Sequence, residues 1–338
     1  MAYQITIEPS GHRFTAEAGE TLLAAALREG FSLPYGCRNG ACGSCKGRVL
    51  AGEFDHGNAQ ITALKPEERE AGKALFCCVH PQGDMVIEVR EIGAARDIQI
   101  KTLPCRVHKL ERLAHDVMRM QLKLPANERL QFLAGQFIDI LLKDGRRRSY
   151  SLANAPHDDA FLELHLRHAP GGRFTDHVFG AMKEKDILRL EGPLGSFFIR
   201  EETDKPLLFV AGGTGFAPIK SMIEHAIASN LQRQMVLYWG VRSLRDLYLA
   251  DLPARWQHEQ PNISFIPVLS EPMAEEGWPG RTGYVHQAVL DDFEDLSGWE
   301  VYVCGAPAMV EAAREGFTRL RGLPEAAFFA DAFIEQRD

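Results

Sequence analysis

Five of the chain's seven cysteines fall in its first quarter: Cys37, Cys42, Cys45, Cys77 and Cys78. Three of them stand in Cys37-Arg-Asn-Gly-Ala-Cys42-Gly-Ser-Cys45. This is C-x4-C-x2-C, a spacing that holds a [2Fe–2S] cluster on thiolates. Such a cluster takes four thiolates on two irons, and three from one tight loop with one from afar is a workable set. Gly36, Gly40, Gly43 and Gly47 surround the ligands. Glycines let backbone N–H groups turn toward the sulfides and stabilise their negative charge. The fourth ligand must be Cys77 or Cys78. A zinc site would favour paired C-x2-C arms, and only one arm, Cys42 to Cys45, is present. Cys105 and Cys304 stand alone, and the odd total speaks against a disulfide framework.

Two further constellations could do redox chemistry. In Arg148-Ser149-Tyr150-Ser151, a tyrosine offers a flat wall for a flavin ring and a serine offers a hydroxyl to its edge. The arginine offers charge for a diphosphate. Gly171-Gly172-Arg173-Phe174-Thr175 is a second stretch, read from its glycines as a turn. Downstream, Val210-Ala211-Gly212-Gly213-Thr214-Gly215-Phe216-Ala217-Pro218 ends an apolar run and opens a helical pattern. That is the context a dinucleotide loop requires, with proline in place of the third glycine, which suits a helix start. Val301 to Met309 supplies a second strand-to-helix junction, with Cys304 and Gly305 at its apex. Redox chemistry of this kind needs no general acid or base, so His165, His168 and His286 read as surface or structural residues.

The elements that must position these groups fall into three blocks. Residues 1–93 mix short strands with one helix, which Thr21 can cap, Gly30 can stop, and Leu22, Leu23, Ala26 and Leu27 can seat. Met85 to Val89 reads as a closing strand, and Glu91 to Ile100 as a linker. Residues 102–200 alternate with period two. Met118, Met120, Leu122 and Leu124 interleave with Arg119, Gln121 and Lys123, and Leu162, Leu164 and Leu166 with Glu163, His165 and Arg167. Half-buried antiparallel strands in a small β-barrel are expected there. Residues 205–338 carry continuous apolar runs, Leu207–Ala211, Met235–Trp239 and Val301–Val303, the mark of a doubly wound parallel sheet. The fold class is therefore multidomain, α+β followed by α/β. The chain of 338 residues is long enough for that. Its net charge of −8 argues against nucleic acid or anionic membrane as partner. No apolar stretch could span a bilayer, and the N-terminus lacks the basic start and apolar run of a secretion signal, so a cytoplasmic location is expected.

With these motifs in order, the chain resembles the ferredoxin–NADP reductase superfamily fused to a plant-type ferredoxin. Arg148–Ser151 matches its R-x-Y-S signature, Gly171–Thr175 its diphosphate turn, Gly213–Pro218 its G-x-G-x-x-P loop and Cys304–Met309 its C-G-x-x-x-M signature. The resemblance implies a β-grasp [2Fe–2S] domain, an FAD barrel (some relatives use FMN) and a nicotinamide domain. It places Ser151 near flavin N5, Thr214 on the carboxamide and Cys304 beside nicotinamide C4, unless Cys304 is plain core. In Leu75 to Pro81 it resembles the ferredoxin segment whose ligand sits four residues before a proline, which points to Cys77. Arg242, after the strand ending near Trp239, faces either a 2′-phosphate or the adenine; NADH is expected and NADPH remains open. Phe333 either covers the flavin face or packs in the core. Text such as Leu133–Gln136, Val285–Leu290 and Phe328–Phe333 is most similar to the CDP-6-deoxy-Δ3,4-glucoseen reductases, which pass electrons to a sugar dehydratase. Reductase components of multicomponent aromatic oxygenases share the architecture. The implied function is hydride from NAD(P)H to FAD, then single electrons through a cluster near about −400 mV to a protein acceptor. A carrier module with a vestigial reductase is the alternative of another class.

Overall fold

The computed structural model describes residues 2–92 and 98–334. The chain divides into two compact units, Met1–Gln99 and Ile100–Asp338. Of the expected linker Glu91 to Ile100, residues 93–97 lie outside the described residues.

The first unit runs β1 (Ala2–Glu8), β2 (Arg13–Glu17), α1 (Leu22–Arg28), β3 (Lys46–Ala51), β4 (Phe54–Asp55), α2 (Pro66–Glu70), β5 (Lys73–Leu75), β6 (His80–Pro81) and β7 (Met85–Glu88). Five strands form a mixed sheet in the order β2-β1-β7-β3-β5, with β1 and β7 parallel, and β4 pairs with β6 apart from it. Thr21 Oγ1 accepts from Ala24 N–H at 3.3 Å and starts α1. Gly30, at φ +82°, carries the chain out of it. The buried face is Leu22, Leu23, Ala25 and Ala26, with Leu27 only half-buried, so the helix is rotated slightly from the expected stripe. The N-terminal amides of α1 donate to Phe76 O and Val79 O at 2.9 Å. They thereby clamp the segment that carries Cys77 and Cys78.

The second unit begins with a barrel of β8 (Lys101–Arg112), β9 (Val117–Lys123), β10 (Phe137–Leu141), β11 (Arg147–Ser151), β12 (Leu162–Arg167), α3 (Arg173–Gly180) and β13 (Ile187–Leu194). Its antiparallel order is β11-β10-β13-β8-β9-β12, and a bridge between Leu152 and Leu164 joins the two ends. Met120, Leu122, Leu162, Leu164 and Leu166 fill the interior. The expected half-burial of β12 is corrected here. Glu163 and His165 are buried as well, because the following domain covers the strand's outer face.

That domain comprises β14 (Leu207–Gly212), α4 (Phe216–Ala228), β15 (Met235–Val241), α5 (Asp251–Glu259), β16 (Ile263–Leu269), β17 (Arg281–Thr282), α6 (Val285–Asp292), β18 (Glu300–Gly305), α7 (Pro307–Leu320) and β19 (Phe328–Ala332). The sheet is wholly parallel, in the order β17-β16-β15-β14-β18-β19. Strand order therefore reverses between β14 and β18, and ligands of such sheets bind at that switch point, outside the strands' carboxyl ends. Gly212–Gly215 and Cys304–Gly305 lie at those ends.

Candidate functional site

In the first unit, Arg38, Gly40 and Gly43 take positive φ (58°, 78° and 75°) and fold residues 37–45 into a loop without regular structure. The loop turns its amides inward: Asn39 N–H points at Cys37 Sγ (3.5 Å) and Cys37 N–H at Cys42 Sγ (3.4 Å). The Gly40 amide donates to Cys77. The thiols fall into two hydrogen-bonded pairs, Cys37 with Cys42 and Cys45 with Cys77. Phe76 N–H, bonded to Cys45 O at 3.1 Å, brings the second pair together. Hydrogen bonding from Cys45, then from Cys78, lowers the Cys77 thiol to about 4, while the same bond and burial push Cys45 up. Cys42 lowers Cys37 to about 7 in the same way. A donor set of two thiol pairs ringed by backbone N–H groups fits a [2Fe–2S] cluster, one pair per iron. Cys78 Sγ stands beside this set, 3.6 Å from Cys77 Sγ. Any Cβ at Gly40 would meet it at 2.6 Å.

In the barrel, the strand period puts Arg148 and Tyr150 on one face of β11 and Ser149 and Ser151 on the other. Tyr150 lies 5.7 Å from Phe174, ring to ring, and burial pushes its phenol up. Ser149 Oγ donates to Asp139 at 2.6 Å, and Ser151 is buried at the strand's end. Gly171 takes φ +85°, and Gly172 precedes the first turn of α3. Thr175 Oγ1 donates back to Ala169 O (3.0 Å) and Gly172 O (3.1 Å). The α3 N-terminus is thereby held as a compact donor turn suited to a diphosphate.

In the nicotinamide-type domain the two glycine signatures interlock. A Cβ on Gly215 would lie 2.1 Å from Cys304 O, and one on Gly212 would lie 2.6 Å from Met309 Sδ. Gly212, Gly215 and Gly305 are therefore required by the close approach of β14 to β18 and to Met309 at the start of α7. The two glycine loops so brought together form a backbone cradle at the switch point, where sheets of this kind bind dinucleotides. Thr214 and Pro218 are buried in this junction. Arg242 is exposed just beyond β15, and its carbonyl accepts from Glu271 N–H at 2.8 Å. Cys304 is fully buried, and burial, then the nearby Asp331, pushes its thiol up. Phe333 N–H donates to Gly305 O at 2.8 Å, and its side chain packs against the core that includes Cys304.

Two features of the site escaped sequence reasoning. Asp331 sits opposite Cys304 in the β18–β19 register and is buried. Its signal was a lone acid inside the apolar Phe328–Phe333 run. Glu163, His165 and Lys220 form a buried polar cluster between barrel and sheet domain. Its residues are far apart in sequence and carry no local signal.

A cluster-type loop, a six-stranded barrel and a switch-point glycine cradle define an iron–sulfur flavoprotein reductase. Residues 5–82 match the 2Fe-2S iron-sulfur cluster binding domain, 104–199 the oxidoreductase FAD-binding domain and 209–315 the oxidoreductase NAD-binding domain. The chain is 42% identical over 337 residues to the CDP-6-deoxy-L-threo-D-glycero-4-hexulose-3-dehydrase reductase of Yersinia pestis, covering 100% of both. It is 38% identical to the phenol hydroxylase P5 protein of Acinetobacter pittii, over 93% of this chain and 89% of that protein. The crystal structure of the Amycolatopsis reductase GcoB superposes with a TM-score of 0.79 at 35% identity, covering 98% of each chain. The chain belongs to this family of NAD(P)H-dependent oxidoreductases, which combine [2Fe–2S], FAD and NAD modules and serve as electron-transfer components. Among the described residues, no helix is long and apolar enough to cross a membrane.

Proposed function

We propose that the chain is the cytoplasmic NADH-dependent reductase of a dehydratase that deoxygenates a nucleotide-linked hexose. Bound FAD would supply two-electron acceptance with one-electron release, and a bound [2Fe–2S] cluster would supply one-electron transfer. The protein's part is to hold and align these groups. Cys37 and Cys42 would ligate one iron and Cys45 and Cys77 the other, while the loop amides offset the charge of the sulfides. Arg148 and the Gly171, Gly172 and Thr175 turn would neutralise and grip the FAD diphosphate. Tyr150 would wall the ring, Ser151 would supply its edge with a hydroxyl, and Ser149 would hold the strand in place through Asp139. Gly212, Gly213, Gly215, Pro218 and Gly305 would leave room for the dinucleotide backbone, with Thr214 on the carboxamide and Arg242 at the adenosine end. Cys304 would sit beside nicotinamide C4, and Phe333, packed against the core that includes Cys304, would cover the flavin face.

The observation that carries the redox reading is the pairing of four thiols in one unit with the interlocked glycine cradle in the other. The choice of partner is supported by the end-to-end likeness to the dehydrase reductase of Yersinia pestis. Reconstitution tests it. With NADH, the purified protein should sustain turnover of a CDP-hexose 3-dehydratase and fail to sustain an aromatic oxygenase component. The opposite outcome would transfer the assignment to an oxygenase system.

A further inference from the structure

The outer face of β12 meets the sheet domain through His165, whose side chain has no exposed surface. Its Nε2 lies 3.0 Å from Glu163 Oε1 and its Nδ1 3.1 Å from the Tyr248 hydroxyl. A carboxylate only accepts, so Nε2 carries the proton and Nδ1 accepts from Tyr248. Burial lowers the imidazole's pKa, which favours this neutral form. Glu163 is itself fixed. Burial pushes it up, but the His165 hydrogen bond and the Lys220 ammonium, 3.3 Å away, hold it at about 2. Lys220 in turn donates to Ala153 O (3.0 Å) and Glu224 (2.9 Å).

From Tyr248 the contacts lead to the glycine cradle. The Tyr248 ring stands edge-on to Trp239, at 5.1 Å and 85°. Trp239 Nε1–H donates to Gly213 O at 2.9 Å, and its ring stacks on Phe216, the first residue of α4, at 4.0 Å. Arg167, two residues along β12 from His165, lies over Gly213, where a Cβ would meet its Nη1 at 2.8 Å. A strand of the flavin barrel thus reaches the dinucleotide turn by two routes, one of them a chain of directional contacts that begins at His165.

We propose that His165 is a positioning residue for hydride transfer. By accepting from Tyr248 it fixes that ring, which through Trp239 sets the Gly213–Gly215 turn where nicotinamide meets the flavin module. The proposal rests on the reading of that turn as the nicotinamide site. Displacement of a reacting group by an ångström slows a reaction by orders of magnitude, so a partial loosening should be visible in the hydride step before it is visible in binding.

The test compares Tyr248→Phe, His165→Gln, His165→Asn and the double Tyr248→Phe/His165→Gln variant in the full-length holoprotein. Tyr248→Phe removes one oxygen and keeps the ring. Glutamine's amide reaches the Nε2 position and so preserves the Glu163 bond alone. Asparagine's carbonyl stands near the Nδ1 position and preserves the Tyr248 bond. Anaerobic stopped-flow reduction by NADH should be roughly ten-fold slower for Tyr248→Phe and His165→Gln, with the double variant no slower than either. His165→Asn should stay within about three-fold of wild type, and NAD+ affinity should change less than the rate in every variant. Hydrogen exchange of the Gly213–Phe216 amides, measured without coenzyme, should quicken in the slow variants only. Wild-type rates in Tyr248→Phe and His165→Gln would overturn the proposal. So would a slow His165→Asn beside a normal His165→Gln, since the Glu163 side would then be the one that matters. If NADH fails to reduce the wild type itself, the nicotinamide assignment falls, and the exchange data alone decide whether His165 holds the turn.

Discussion

The cluster loop and the glycine cradle are both built around glycines, but they use them for opposite ends. In the loop, Gly40 and Gly43 take positive φ so that amides can face sulfur, and the chemistry is carried by thiol side chains. In the cradle, Gly212 and Gly215 are needed because two strand ends approach each other, and what is close there is mainly backbone and the Met309 side chain. The loop is a ligand set, which fails when a ligand is changed. The cradle is a shape, which fails when an atom is added. This difference sets the order of effects expected from substitution.

The largest effect belongs to the ligand set. Cys77→Ser should leave the protein without a normal two-iron cluster, measured as iron per chain and as loss of the cluster's visible absorbance, while FAD content holds. Cys78→Ser should keep the cluster, because Cys78 Sγ hydrogen-bonds to Cys77 Sγ but to none of the other three paired thiols. If iron is retained in the first variant and lost in the second, the pairing read from the structure is wrong.

A smaller but clear effect is expected from the shape. Gly215→Ala would set a methyl 2.1 Å from Cys304 O and 2.5 Å from its carbonyl carbon, both of them backbone atoms that cannot swing aside. NAD+ affinity, by calorimetry, should fall at least about ten-fold, or about 1.4 kcal/mol, with the cluster untouched. Gly180→Ala, at an open position in α3, is the matching control and should cost nothing. Equal binding by wild type and Gly215→Ala would mean that the cradle does not hold the coenzyme.

The same contrast explains what could be read from the sequence. The loop's ligands lie within nine residues, so spacing alone revealed three of them. The choice between Cys77 and Cys78 turns on which side chain faces Cys45, and that is decided by the β3–β5 register and the clamp from α1. The cradle's glycines were legible as a motif, but what they pack against was not, since Gly212 meets Gly305 at the end of β18 and Met309 in α7, both far downstream. The period-two pattern of β12 was read as one dry and one wet face. Lys220 and Tyr248 close over that second face from positions more than fifty residues downstream, so a local pattern held no sign of them. Asp331 was missed for a similar reason: its meaning lies in its neighbour across the sheet, Cys304.

The smallest effect sharpens the comparison from the cradle's supporting side. His165 is buried and its pKa is lowered, so the folded state disfavours its protonation while the unfolded chain takes up a proton near pH 6.5. As pH falls below 6.5 the unfolded state binds more protons, and stability is lost at up to about 1.4 kcal/mol per pH unit until the folded-state pKa is reached. Glu163 adds nothing in that window. Its folded pKa of about 2 lies below the unfolded value near 4.5, so its contribution is complete above pH 4.5 and is lost only in stronger acid. Urea unfolding followed by flavin release at pH 7.5 and 5.5 isolates the histidine when wild type is compared with His165→Asn, in which nothing titrates at that position. The stability advantage of wild type should shrink between the two pH values by no more than about 1.4 kcal/mol. An advantage that is constant or grows in acid would mean that His165 is charged in the folded protein. The proton would then sit on Nδ1 as well, and Tyr248 could no longer donate to it.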